Sequence, residues 1–310
     1  MSPSKSGGAS SRLAELSSQL AAAVESASNS IVAIHARRRI PSSGIVWRDG
    51  VIVSASHTVK RDDAVPVMLP GGESTDATII GRDSATDLIA LRIEGAKSYV
   101  AGKADADALK VGSLVLAVGR PGREVAASFG IISAIGKGWR TWQGARIDRV
   151  FRLDLAVYDG FSGGPLVDAS GAVLGVNNSA LAGGTPMTLP ATAVDRVLDE
   201  LLEHGHVRRP FVGVAAQPVA LSASLVKQHE LAHDTGLLIV SVADGSPADG
   251  AGILVGDVLL EASGKSLSRP TDLLDALSNV PGGESLRFKV LRGGAAKSVS
   301  VTPTDRGTGQ

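Results

Sequence analysis

One serine in this chain stands between glycines and directly before a short apolar run: Asp159-Gly160-Phe161-Ser162-Gly163-Gly164-Pro165-Leu166. Glycine tolerates positive φ and close approach of other chains. Gly160 N–H and Ser162 N–H can therefore aim together at a developing oxyanion while Ser162 Oγ is presented for attack. The same residues also suit a tight turn before a strand, since Ser and Gly dominate turns. A serine hydroxyl is a weak nucleophile unless a base takes its proton and a third group holds the base. Two upstream segments supply such groups. Val51-Ile-Val-Ser-Ala-Ser-His57 is an apolar strand pattern ending in a small-residue turn with a histidine at its tip. Gly81-Arg-Asp-Ser-Ala-Thr-Asp87-Leu88 places an aspartate at the mouth of the next strand. The order is His, Asp, Ser. The other histidines lack such a setting: His35 falls in a strand pattern, His204 and His206 flank a helix end, and His229 and His233 lie in the last third.

These groups need a scaffold, and short apolar runs between turn residues provide it. They are Ile31–His35, Gly44–Trp47, Val51–Ser54, Val65–Leu69, Ala77–Ile80, Leu88–Ile93, Leu114–Val118, Phe129–Ile135, Val150–Leu155, Pro165–Val167 and Val173–Val176. So many strands without intervening helices indicate antiparallel barrels or a sandwich. An amphipathic helix is expected near 12–26. Another should close the series, with Val194, Val197, Leu198, Leu201 and Leu202 at helical spacing, Thr192 and Asp195 as a capping box, and Gly205 as C-cap. Beyond the basic stretch His206-Val-Arg-Arg-Pro210 lies a second unit. Its strands are expected near 211–215, 237–242, 257–262, 285–291 and 297–302, and its helices near 222–232 and 271–279.

Composition narrows the classes. The 310 residues are 44% hydrophobic and 20% charged, enough for two globular domains and unlike disorder, collagen or a coiled coil. Thirty-one basic residues balance thirty-one acidic ones, so no general attraction to nucleic acid or anionic membrane is expected. The absence of cysteine removes a cysteine nucleophile and thiolate metal sites. No run reaches the roughly 18–20 apolar residues of a membrane span, and Arg12, Glu15 and Glu25 interrupt what would be a leader's apolar region. The compartment expected on that basis is cytoplasmic, with the periplasm as the alternative if a precursor was trimmed.

The three motifs in this order resemble those of the HtrA family of trypsin-like serine proteases. Ser-Ala-Ser-His57-Thr-Val is similar to its histidine motif, Gly-Arg-Asp-Ser-Ala-Thr-Asp87-Leu to its aspartate motif, and Gly-Phe-Ser162-Gly-Gly-Pro-Leu to its nucleophile motif. The resemblance implies a mainly β fold, a trypsin-like double six-stranded β-barrel followed by a small α+β PDZ domain. The corresponding boundaries are an N-terminal segment and helix at 1–28, a protease domain at 29–204, a linker at 205–210, a PDZ domain at 211–304 and a tail at 305–310. It further implies an ATP-independent endopeptidase of unfolded or misfolded proteins, with His57, Asp87 and Ser162 as triad and Gly160 with Ser162 as oxyanion hole. Neither a metal nor another cofactor is required. Trimers, through the N-terminal segment, are the family's usual assembly.

Ala180 and Leu181 follow a strand similar to the one bordering the primary specificity pocket, which predicts small or medium aliphatic residues before the cut; they also suit an ordinary core. In the second unit, Arg209-Pro-Phe-Val-Gly-Val214, Gly236–Val242, Gly245-Ser-Pro-Ala248 and Gly256–Glu261 resemble a PDZ domain. Phe211, Val212, Gly213 and Val214 become the candidate loop for a peptide carboxylate, or, for Phe211 and Val212, plugs of the domain core. Trp139 and Trp142 fall in a loop expected at 136–148, which the same resemblance makes a regulatory loop and which equally suits a simple hydrophobic lid.

Phe161 and Tyr158-Asp159 depart from the family's pattern, where a small polar residue and Asn-Pro are usual. A bulky residue between the two oxyanion donors opens a second reading, a peptide-binding scaffold that keeps the triad with little turnover. A third is a zinc protease, because His229-Glu-Leu-Ala-His233 matches a two-histidine helix motif.

Overall fold

Neighbouring residues of the early strands face different cores. In the computed structural model, which describes residues 7–95, 99–140, 145–181, 187–280 and 283–305, Val32, Val46, Ile52, Ile89 and Leu91 fill one cluster, while Ile31, Ile45, Val51, Val53, Leu88 and Ala90 fill another. Side chains alternate across a strand, so a strand with both faces covered reads as a continuous apolar run. This is why β1 (Ile31–Ile34), β2 (Ser42–Arg48) and β3 (Val51–Ala55) lack polar alternation. With β4 (Val65–Met68), β5 (Ser74–Asp83) and β6 (Leu88–Arg92) they close a barrel in the order β1-β2-β3-β6-β5-β4.

A second closed barrel repeats the scheme. Its strands are β7 (Leu114–Gly119), β8 (Ala126–Arg140), β9 (Arg146–Asp154), β10 (Pro165–Val167), β11 (Val173–Asn178) and β12 (Met187–Pro190), in the order β10-β11-β12-β9-β8-β7. Val115, Ala117, Phe151, Phe161 and Leu166 fill its interior. Leu116, Val118, Val167 and Val176 point the other way and join the first barrel's outward residues in one shared core. At roughly 1.5–3 kcal/mol for each fully buried large aliphatic side chain, that shared core holds the two barrels against each other.

Two helices complete this unit. α1 (Gly7–Ser28) is longer than the expected 12–26, and buries Ala23 and Ala27 in the shared core. α2 (Ala191–His204) buries Val194, Val197, Leu198 and Leu201 there, and Gly205, at φ +74, ends it by donating its N–H to Leu201 O at 2.9 Å. The expected capping box is corrected: Pro190 is the N-cap, and Asp195 Oδ1 instead accepts Trp47 Nε1 at 2.7 Å and Lys103 Nζ at 2.6 Å. That carboxylate anchors the helix to the barrel rather than capping it.

Other expectations also shift. β12 is not among the expected strands; its four residues, all buried, are too short a run to mark themselves. The stretch 136–148, expected as a loop, belongs largely to a hairpin of β8 and β9 in which Trp139 is opposite Ile147, and Trp142 lies outside the described residues. His35 and the Arg37–Arg39 run follow β1 and are exposed.

The chain divides into two units, Met1–Val207 and Arg208–Gln310. In the second, β13 (Pro210–Phe211) pairs with β20 (Thr304–Asp305), so Pro210 of the basic stretch lies in a strand. A sheet runs β14-β15-β16-β18-β19, from β14 (Val214–Ala220), β15 (Thr235–Val242), β16 (Val258–Ala262), β18 (Leu286–Arg292) and β19 (Ala295–Val301), with β17 (Lys265–Ser266) on β16. Helices α3 (Ala223–Gln228), α4 (Pro247–Gly250) and α5 (Pro270–Ser278) accompany it. α5 contributes Leu273 and Leu277 to a core with Leu237, Leu259 and Phe288. The strand expected at 211–215 is divided: Phe211 belongs to β13, Val214 opens β14, and Val212 and Gly213 lie between them in neither.

Candidate active site

β3 delivers His57. A single helical turn, Ser56–Thr58, follows the strand, and Thr58 Oγ1 donates to Ala55 O at 2.7 Å to fix it. Asp87 enters from the turn before β6, where Thr86 Oγ1 donates to Asp83 Oδ2 at 2.5 Å. Its φ of +54 lies in the left-handed region that aspartate tolerates better than most residues. Three donors converge on its carboxylate. His57 N–H reaches Oδ1 at 2.7 Å, while His57 Nδ1 at 2.5 Å and Asn178 Nδ2 at 2.7 Å reach Oδ2. A carboxylate only accepts, so Nδ1 carries the donated proton and Nε2 is left as the ring's acceptor.

Ser162 lies in the loop between β9 and β10 and is 5% exposed. Phe161 N–H donates to Tyr158 O at 3.0 Å, and Gly160 has φ +88. A turn closed from its fourth residue to its first, with positive φ at the third alone, is type II, and that turn sets the orientation of the Gly160 peptide. Neither Gly160 N–H nor Ser162 N–H is bonded to a described residue. Gly163, at φ +87, could not carry a side chain: a Cβ would fall 2.2 Å from both Ser43 O and Ser54 Oγ. Phe161 is 1% exposed and points into the second barrel, where its ring presses on Gly119 and meets Tyr158 edge-on at 5.4 Å. Phe161 is thus a packing residue that leaves the donors on either side unobstructed.

The structure therefore brings His57, Asp87, Gly160 and Ser162 to one end of the barrel pair. Ser162 Oγ is bonded to Ser179 Oγ at 2.9 Å, and no hydrogen bond to His57 accompanies it among the described residues. Ala180 is exposed, whereas Leu181 is half-buried against the shared core, the alternative to a pocket wall; both N–H groups donate to Asn178 Oδ1, at 2.8 and 3.1 Å. Sequence reasoning missed Ser43, Ser54, Asn178 and Ser179. Their one signal was polar residues at or beside the ends of strands that are otherwise apolar.

In the second unit Phe211 is half-buried, and Val212 is 3% exposed in the domain core. The side chain of Val212 is therefore a core plug. Gly213 has φ +85, and a Cβ there would fall 2.1 Å from Ser246 Cβ. The N–H groups of Val212 and Gly213 are bonded to no described residue. Val214 opens β14, which ends the sheet and lies against α5.

The zinc motif is corrected. α3 ends at Gln228, and Glu230 at φ +51 breaks the helical path, so His229 and His233 do not share a helical face. His229 Nε2 instead meets Gly294 O at 3.0 Å.

Two closed six-stranded barrels, followed by a small antiparallel domain, are the fold of the trypsin-like serine proteases joined to a PDZ-like domain. Comparison with known proteins gives the same division: residues 42–176 match the trypsin-like peptidase domain and residues 213–302 the PDZ domain. A Brucella suis protein named a probable periplasmic serine endoprotease, DegP-like, is 35% identical over 289 residues, covering 88% of this chain and 55% of that protein. A protein of the same name from Chlamydia pneumoniae is 33% identical over 264 residues, covering 83% and 53%. The chain spans about half the length of these curated relatives. A serine endoprotease structure from Yersinia pestis superposes with a TM-score of 0.74 at 25% identity, covering 93% of this chain and 98% of that one. The HtrA-type protease AlgW with a tripeptide gives 0.70 at 26%, covering 93% and 97%. The chain belongs to the HtrA family, with one PDZ domain.

Proposed function

We propose that this chain is an ATP-independent serine endopeptidase of unfolded or misfolded polypeptides, with a protease domain at 29–204, a linker at 205–210 and a PDZ domain at 211–304 that binds C-termini or extended segments. The observation that carries it is the carboxylate of Asp87, which takes both the N–H and Nδ1 of His57 and so leaves Nε2 as the acceptor. In this reading Ser162 Oγ attacks the scissile carbonyl, His57 takes its proton and returns it to the leaving amine, and Asp87 holds the tautomer. Gly160 N–H and Ser162 N–H receive the oxyanion. Every part of this chemistry comes from side chains and backbone, so no cofactor is needed.

Ala180 lines the approach to the cut. A peptide pairs with the edge of β14 and sets its carboxylate on the N–H groups of the loop Phe211–Val214, the mode of strand addition. The relatives are named periplasmic. We accordingly place the mature protein in the periplasm rather than the cytoplasm, assembled as a homotrimer. The scaffold reading has lost its motive, because the side chain of Phe161 lies in the barrel core.

A fluorophosphonate probe tests the proposal. Labelling of the full chain that is abolished by Ser162→Ala and strongly reduced by His57→Ala is the expected result. Labelling that survives Ser162→Ala would overturn it.

A further inference from the structure

Arg120 follows β7 and is only 6% exposed, yet its guanidinium faces backbone carbonyls alone. Nε donates to Ile31 O at 2.8 Å, Nη1 to Arg123 O at 2.7 Å and Nη2 to Ser28 O at 3.1 Å. Ser28 is the last residue of α1 and Ile31 the first of β1. No carboxylate stands within ion-pair distance of it among the described residues. Burial lowers its pKa, and the charge of Glu124 opposes that shift. A buried cation without an ion-pair partner is costly. What offsets the cost is the end of a helix, where unpaired carbonyls and the negative pole of the dipole favour a cation.

The backbone of the same residue faces the other way. Arg120 N–H donates to Ser43 Oγ at 2.8 Å, and that hydroxyl donates to Gly160 O at 2.6 Å. Ser43 N–H reaches Ser162 O at 3.3 Å, and Ser43 O accepts Ser54 Oγ at 2.6 Å. Ser43 therefore grips the nucleophile loop on both sides of Phe161, whose apolar side chain offers no polar hold of its own.

We propose that Arg120 is a positioning residue that makes the seating of helix α1 a condition for the geometry of the nucleophile loop, acting through Ser43. This rests on reading Ser162 as the nucleophile and Gly160 N–H as an oxyanion donor. When the end of α1 leaves its seat, Arg120 loses the Ser28 carbonyl, one of the three that hold its guanidinium, and the buried cation moves toward water. Its N–H then withdraws from Ser43 Oγ, that hydroxyl turns, and the Gly160 carbonyl loses its donor. The type II turn is left with only its own Phe161 N–H to Tyr158 O bond, and the peptide that carries the Gly160 N–H can flip more readily.

The test uses the full chain and two readouts, hydrogen exchange by mass spectrometry and steady-state hydrolysis of a peptide substrate. Arg120→Gln is expected to speed exchange in both 20–28 and 158–164, and to lower kcat about 10-fold or more, as partial loss of an oxyanion donor does, with KM within about two-fold. Ser43→Ala is expected to speed exchange in 158–164 alone, and Arg120→Lys to recover part of kcat. Ala23→Gly, which loosens α1 away from the site, is expected to lower kcat in the parent but to add nothing in Ser43→Ala. Unchanged exchange in 158–164 for Arg120→Gln, or effects of Ala23→Gly and Ser43→Ala that simply multiply, would overturn the coupling. If Arg120→Gln does not fold, the Ala23→Gly and Ser43→Ala pair decides. If the parent neither cleaves peptide nor reacts with the probe, the protease reading has failed, and hydrogen exchange still decides the coupling.

Discussion

Ser162 Oγ is hydrogen-bonded to Ser179 Oγ at 2.9 Å, with either hydroxyl able to donate, and when Ser162 is the donor this pairing competes with the one an acyl transfer needs. The proposed nucleophile must give its proton to His57 Nε2, and a hydroxyl has one proton to give. A net hydrogen bond contributes about 0.5–1.5 kcal/mol, so its removal is worth roughly 2- to 10-fold in the population of the productive rotamer. Ser179→Ala is expected to raise the rate of fluorophosphonate labelling by that factor. Slower labelling in a folded variant would mean that Ser179 helps the nucleophile rather than detains it.

Asn178 links two parts of the site with one amide. Its Nδ2 donates to Asp87 Oδ2 at 2.7 Å, and its Oδ1 takes the N–H groups of Ala180 and Leu181. Hydrogen bonds to a charged group are worth about 1.5–3 kcal/mol. Asn178→Ala is expected to lower kcat by about 10- to 100-fold while the fold persists. Asn178→Asp is expected to do worse, since it sets a second carboxylate against Asp87. Peptide hydrolysis by the two variants, beside circular dichroism to confirm folding, checks the order; an Asn178→Asp enzyme as active as the parent would contradict it.

How much of this was legible in the sequence depends on distance along the chain. His57, Asp87 and Ser162 each sit in a local pattern, strand and small-residue turn or glycine loop, so type and neighbours suffice to find them. Asn178, Ser43 and Ser179 act through pairings 91, 117 and 17 residues away, and nothing in their neighbours announces the partner. The same holds for the fold. The apolar runs of β1 and β3 mark themselves, whereas β12 is a strand because β11 and β9 flank it. Asp195 looked like a helix cap because capping is a local rule; the indole of Trp47, 148 residues away, claims it instead. The His229–His233 pair failed for the converse reason, since a two-histidine motif presumes a helix and α3 ends before the first of the two histidines.

Phe161 carries a test of the barrel rather than of the chemistry. It is 1% exposed, packs with Leu166 and Phe151, and presses on Gly119 so closely that a Cβ there would sit 2.7 Å from its ring. Truncating a buried phenylalanine costs about 3–5 kcal/mol. Phe161→Ala is expected to lose that much in urea unfolding followed by tryptophan fluorescence. Phe161→Leu should keep most of it, because a smaller volume change leaves a smaller cavity. Stability unchanged in Phe161→Ala would mean that the ring is not part of the core.

In the PDZ domain, Asp257 and Arg292 make stability depend on acid. The Asp257 side chain is 1% exposed, and Arg292 Nε and Nη2 reach its two oxygens at 2.7 Å each. Burial pushes the carboxyl upward, but the Arg292 fork and the Leu254 N–H outweigh it and hold the group below its ordinary 3.8. A pKa lower in the folded than in the unfolded chain gives stability that is complete above the unfolded value and lost as pH falls through the folded one. The window is therefore below about pH 4, where protonation breaks the pair. Asp272, which accepts the N–H groups of Ser268 and Arg269 ahead of α5, is also held low and adds a slope of the same sign. Asp257→Asn is expected to cost about 3 kcal/mol at neutral pH, the low end for breaking a buried pair, because Arg292 is partly exposed and can recover water. It should also flatten the decline below pH 4, leaving the share of Asp272. Urea midpoints of the full chain at pH 7, 5, 4 and 3, parent against Asp257→Asn, check both effects, and parallel curves would show that the pair does not set the acid limb.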